Sequence, residues 1–126
     1  MRAVDTNVLV RLLTRDDAKQ ATAAEAFVNR GAWVSHLVLV ETVWVLESVF
    51  DLQRSQLVLA VEMLLNHRDL TLQDPDVVQA ALESFRRRSK VGFSDCMVLE
   101  VARKAGHCPL GTFDRHLSKL EGAEAL

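Results

Sequence analysis

At 126 residues, 49% hydrophobic and 25% charged, the chain has the size and balance of one compact domain with a real core, which excludes a disordered tail or a coiled coil. With 15 Lys plus Arg against 17 Asp plus Glu and a formal net charge of −2, a grip on nucleic acid through bulk basicity is excluded, so any such grip is local. The two cysteines, Cys96 and Cys108, make neither a disulfide framework nor a Cys-x-x-Cys pair, which fits buried thiols in a reducing compartment and argues against structural zinc.

The first residues are too short an apolar stretch for a signal peptide. No window approaches the roughly 18 uncharged apolar residues of a membrane span, so a soluble, cytoplasmic chain is expected. Ala3-Val4 reads as a short strand ending at Asp5-Thr6-Asn7, residue types that cap helices, and a helix follows over 8–13. Residues 16–30 read as an amphipathic helix with Ala21, Ala24, Phe27 and Val28 on one stripe and Gly31 as its stop. Trp33-Val34 is the second expected strand. Residues 37–50 are apolar almost all round, which predicts a largely buried helix, with a strand competing for the first half. Ser55 is placed to cap a helix over 56–67, and residues 70–73 give a third strand. Asp74-Pro75 then opens a helix to about residue 89, its basic residues gathered in the last turns where they complement the helix dipole. After Gly92 and Phe93-Ser94-Asp95 a helix is expected over 96–105, stopped by Gly106. Residues 109–113 read as a strand entering Asp114, which caps a last short helix to residue 120, and the final residues suit an edge strand.

No Ser/Gly/Pro-rich stretch is long enough for a linker, so residues 1–126 are expected to form a single domain. Short strands alternating with helices argue for an α/β fold: a central parallel sheet of four to five short strands with helices on both faces, since parallel strands need crossovers. In such folds ligands collect at the carboxyl ends of the strands.

Four acids stand out against that frame. Asp5 closes the first strand, Asp114 follows a later one, Asp95 opens a helix, and Glu41 sits in the most apolar helix of the chain. Taken singly, each aspartate is explained by helix capping, worth about 1 kcal/mol. Glu41 is harder to explain, because Val38, Val40, Val43, Trp44 and Val45 should bury it, and a buried unpaired carboxylate costs several kcal/mol. Its partner is either an arginine, with Arg11, Arg86 and Arg115 as candidates, or a metal ion. Converging carboxylates repel unless a cation neutralises them. Oxygen ligands without histidine or thiolate suit Mg²⁺ or Mn²⁺ rather than Zn²⁺. A hard divalent ion in an open cleft suits phosphodiester hydrolysis by an activated water.

The ordered set Val4-Asp5-Thr6-Asn7-Val8-Leu9, Glu41 before Trp44-Val45-Leu46, Ser94-Asp95 and Gly111-Thr112-Phe113-Asp114 closely resembles the motifs of PIN-domain ribonucleases, particularly the VapC-type toxins of bacterial toxin-antitoxin pairs. The resemblance covers nearly the whole chain. It implies a three-layer α/β sandwich and a metal-dependent endoribonuclease toxin. Asp5, Glu41, Asp95 and Asp114 would then be the catalytic acids, binding one or two Mg²⁺ or Mn²⁺ ions, with a metal-activated water cutting RNA to leave a 5′-phosphate. Thr6 and Asn7 match the polar residues beside the first acid, Asn7 as the one that orients a carboxylate, and Thr112 matches the hydroxyl near the fourth. Arg115, His116 and Leu117 stand where many relatives carry a further acid, which bears on whether a second ion binds. The resemblance also implies a homodimer and a cognate VapB-type antitoxin covering the cleft.

Charge is uneven: residues 1–85 carry 7 basic and 12 acidic residues, residues 86–126 carry 8 and 5. The positive excess begins at Arg86, Arg87, Arg88 and Lys90, which suit RNA phosphates or, equally, a solvated helix end. Trp33 and Trp44, in apolar runs, are expected in the core, and the four histidines show no metal spacing. A competing function is a catalytically weak RNA-binding or protein-interaction module of the same fold. An aspartyl-phosphate phosphatase would need an acidic pair after the first strand, which Asp5-Thr6-Asn7 does not supply.

Overall fold

The computed structural model describes residues 1–126, which divide into two compact units, Met1–Pro75 and Asp76–Leu126. The first holds strands β1 (Arg2–Ala3), β2 (Ala32–Val34) and β3 (Leu70–Leu72) and helices α1 (Thr6–Thr14), α2 (Ala18–Val28), α3 (His36–Ser48) and α4 (Arg54–Asn66). The strands pair in parallel with β2 central, Arg2 opposite Ala32 and Ala32 opposite Leu70. Such pairing requires crossovers, and two helices fill each one. Ala32, Val34, Leu70 and Leu72 are buried while Trp33 and Thr71 are exposed, the alternation that covers one face of a sheet.

Local chemistry sets the helix starts. The carboxylate of Asp5 accepts from the Val8 N–H at 3.4 Å, that of Asp17 from Gln20 N–H at 3.0 Å, and the Ser35 hydroxyl from Val38 N–H at 3.1 Å. Asp16, the expected start of α2, instead meets Arg11 at 3.2 Å and the Thr14 hydroxyl at 2.8 Å. Helix α4 begins ahead of Ser55, because Gln53 and Gln56 cap each other's backbone in a reciprocal box. Leu9, Leu39, Leu46, Leu57 and Leu64 form the fully buried centre of this unit.

Helix α3 differs from expectation. Its buried stripe is Leu39, Thr42, Val43 and Leu46, whereas Leu37 is 84%, Trp44 62% and Val49 63% exposed. An apolar circumference does not bury a helix that lies at the surface; the side packed on α1 and α4 is buried, and the other carries its apolar residues in water. Neither tryptophan is a core residue, since Trp33 is also partly bare.

In the second unit α5 (Pro75–Arg87) and α6 (Phe93–Ala105) precede β4 (Leu110–Thr112), a 3₁₀ turn at Leu117–Lys119 and β5 (Ala123–Ala125). Strand β4 pairs in parallel with β5, Leu110 opposite Ala123 and Thr112 opposite Ala125. Val77, Val78, Ala81, Leu82 and Phe85 of α5 and Phe93, Cys96, Met97 and Leu99 of α6 are buried, and Phe85 meets Phe93 edge to face at 5.7 Å. The expected α/β fold of short parallel strands and helices is found, its five strands hydrogen-bonded as a set of three and a set of two. Cys96 is buried and Cys108 exposed, so only one thiol is sheltered.

Gly106 ends α6 at φ +83°, with nothing within 4 Å of where a Cβ would stand. The space is open, so the cost of a side chain there is purely conformational. Gly106→Ala is expected to destabilise the fold by roughly 1 kcal/mol, read as a lower urea midpoint at unchanged slope. No helix is long and apolar enough to cross a membrane.

Candidate active site

In the first unit the Val4 N–H donates to the Trp33 carbonyl at 3.1 Å. That bond carries the β1 pairing to its carboxyl end and delivers Asp5 there in extended conformation, at φ −99° and ψ −179°. Asp5 caps α1 and remains exposed. The next residue, Thr6, is buried, and its hydroxyl donates to Oε1 of Glu41 on α3. Helices α1 and α3 pack together, which is why a residue 35 positions away in sequence reaches the start of α1.

Glu41 itself is exposed, contrary to the burial expected from its neighbours. The buried polar residue of α3 is Thr42, whose hydroxyl donates to the Val38 carbonyl at 2.7 Å. Glu41 meets a threonine hydroxyl rather than Arg11, which is engaged with Asp16 and Gln20. Thr6, not Asn7, is therefore the residue that orients a carboxylate; Asn7 stands exposed on the first turn of α1. Trp44 and Leu37 lie three residues after and four before Glu41, so they share its exposed face. That spacing is the signal from which the exposure of Trp44 could have been read.

The second unit supplies the other pair. Asp95 is half-buried in the first turn of α6, which begins at Phe93 with Gly92 as its cap, earlier than expected. Asp95 is thus inside the helix and does not cap it. Burial, and then the negative charge of Asp114, hold the Asp95 carboxyl above the usual aspartate range. Asp114 follows β4, and its carboxylate accepts the N–H groups of His116 and Leu117, both at 2.8 Å. The Leu117 N–H is the chief reason that the Asp114 carboxyl lies below its ordinary value; desolvation opposes it, and the His116 N–H and charge add to the lowering. The Asp114 N–H donates to Oγ1 of Thr112 at 3.0 Å. Thr112 therefore fixes the backbone on which the acid stands.

Within neither unit do three His, Cys, Asp or Glu side chains gather into a group that could hold a metal ion. The acids stand as two pairs. Their chemistry nonetheless fits a hard divalent cation, since all donors are carboxylate oxygens. A cation beside Asp95 and Asp114 would offset both the burial and the Asp114 charge that hold the Asp95 carboxyl above its ordinary value.

Arg86 and Arg87 end α5, and both reach the Glu83 carboxylate, at 3.4 and 3.6 Å. Arg88 and Lys90 follow, and all four are exposed. Arg115, His116 and Leu117 divide differently: Arg115 is exposed, His116 half-buried, and Leu117 buried as the anchor of the 3₁₀ turn. His36 is structural, its backbone N–H donating to the Gln73 side chain at 2.9 Å and its ring lying 2.8 Å from the Gln73 carbonyl.

Comparison with known proteins yields two findings. A family described as the PIN domain matches residues 2–123. The chain is also 26% identical over 125 residues to a VapC ribonuclease of Aquifex aeolicus (strain VF5), covering 95% of this chain and 92% of that relative.

Proposed function

Because the chain belongs to the PIN domain family, we propose that it is a metal-dependent endoribonuclease toxin of the VapC kind, hydrolysing RNA phosphodiester bonds. One observation carries the reading: a half-buried Asp95 on the first turn of α6, its carboxyl held above the ordinary value by burial and by the charge of Asp114, which two backbone N–H groups hold at the end of β4. Perturbed acid pairs of this type mark sites built to receive positive charge. The similarity to a protein named VapC ribonuclease supports the substrate class.

In this reading residues 1–126 act as one PIN domain in the cytoplasm, and Asp5, Glu41, Asp95 and Asp114 together hold Mg²⁺ or Mn²⁺. When bound, the ion activates water and neutralises charge at the phosphate. Thr6 fixes the Glu41 carboxylate, which would help to hold the ion. Thr112 and the N–H groups of His116 and Leu117 keep Asp114 ionised and in place. No side chain is required as a nucleophile. A cognate VapB-type antitoxin and a second copy of the chain are the proposed partners. The test is cleavage of single-stranded RNA with Mg²⁺, abolished by chelation and restored by Mn²⁺; RNA left intact with either ion overturns the proposal.

The basic run supplies a local grip on phosphates in an acidic protein. Replacing Arg86, Arg87 and Arg88 together by Ala is expected to weaken RNA binding and flatten the slope of log K against log salt by about 0.7 for each phosphate that is no longer neutralised. An unchanged slope would make the run ordinary surface. A second reading, a catalytically weak RNA-binding or protein-interaction module, draws on Arg115, His116 and Leu117 where a further acid is common. It predicts RNA or protein binding without cleavage.

A further inference from the structure

We propose that Phe113 is a stacking platform for an unpaired base of the RNA, a substrate-positioning residue beside Asp114. The inference rests on the reading above in taking RNA as the ligand. Phe113 is 86% exposed. The other phenylalanines are placed: Phe85 and Phe93 pack on each other in the core, Phe50 is half-buried, and Phe27 lies half-buried under the Arg2 guanidinium at 3.8 Å.

The backbone on both sides of Phe113 is tied down. The Thr112 carbonyl accepts the Leu126 N–H at 3.0 Å, the Asp114 N–H donates to the Thr112 hydroxyl, and the Asp114 carboxylate holds two further N–H groups. A bare ring on a fixed backbone binds with little ordering cost. Its neighbours favour a nucleotide over an apolar protein surface. Asp114 and Arg115 follow it in the chain, both exposed, and an apolar partner covering them would have to bury those charges unpaired. A nucleotide instead offers a π-face to the ring and a phosphate to Arg115. One peptide unit, about 3.8 Å between Cα atoms, separates Phe113 from Asp114. The ring therefore stands on the same short segment that carries the acid.

Two readouts test this with the full chain. A single-stranded oligoribonucleotide carrying 2-aminopurine is titrated in EDTA, where binding is read without cleavage, and cleavage is measured separately with Mg²⁺. The parent is expected to quench the fluorophore. Phe113→Ala should bind about 10- to 100-fold more weakly and lose the quench. Its KM should rise by the same factor, with kcat and melting temperature unchanged. Phe113→Trp should restore binding and quenching. Equal binding and quenching by parent and Phe113→Ala overturn the proposal, as does absence of quenching by the parent. Loss of a bound protein partner with RNA binding intact also overturns it and assigns the ring to protein docking. A parent that binds and quenches but does not cut keeps the stacking role and removes the nuclease reading.

Discussion

Replacing Asp95 by Asn is expected to lower Mg²⁺-dependent RNA cleavage by about a thousandfold or more, because a metal-bound charge is worth several kcal/mol and each 1.36 kcal/mol is tenfold. The same substitution is expected to raise the melting temperature at neutral pH. In the folded chain burial and Asp114 hold the Asp95 carboxyl above its ordinary value. Below the unfolded-chain value both states are protonated and Asp95 has no effect on folding. As pH rises through the higher folded value, the folded state must give up a proton that it binds more tightly than the unfolded chain does, and stability falls. Asn removes that loss, so the variant should melt above the parent at neutral pH and level with it in acid. Asp114 has the opposite sign: its contribution is present above the unfolded value and lost as pH falls through the lowered folded one. Melting curves from pH 3 to 8 check both.

Asp5→Asn serves as the partner experiment. An asparagine caps a helix as well as an aspartate does, so the bond from Val8 N–H is preserved and only the charge is lost. Cleavage should fall as far as in Asp95→Asn. If both variants cut as fast as the parent, the acids do not hold the ion.

The second large effect is expected at Thr6. Its hydroxyl is buried and committed to Glu41, and Thr6→Val keeps the shape while deleting the donor. Residues that orient a metal ligand are typically worth 10- to 100-fold. Thr6→Val is expected to weaken Mg²⁺ activation by about that factor, and Thr6→Ser should recover most of it. A merely structural hydroxyl would lower the melting temperature of Thr6→Val without shifting the Mg²⁺ concentration for half-maximal activity.

The positions of the three aspartates were legible in the sequence, since each sits at a strand-to-helix turn or a helix start, where local rules are strong. Asp5 and Asp114 indeed bond the N–H groups that follow them. The apolar neighbours of Glu41 predict burial, whereas it is exposed. Apolar neighbours on a surface helix do not reveal which side faces water; that is fixed by packing on α1 and α4, a long-range property. The same reason misassigned Trp44. The pairing with Thr6 was likewise invisible, because it depends on helix packing across 35 residues. Strand existence was readable from apolar runs, whereas the division into sheets of three and two follows from pairing that no local pattern encodes. The shift of α6 from Cys96 to Phe93 is a capping effect: Gly92 in extended conformation starts the helix, and Asp95 falls inside it.

If the chain is the nuclease proposed, Asp5, Glu41, Asp95 and Asp114 share one divalent ion. Anomalous diffraction from crystals grown with Mn²⁺ tests this most directly. A manganese peak bounded by carboxylate oxygens of all four residues is the expected result. Manganese bound elsewhere, or by one pair with the other two acids outside its coordination sphere, would contradict it.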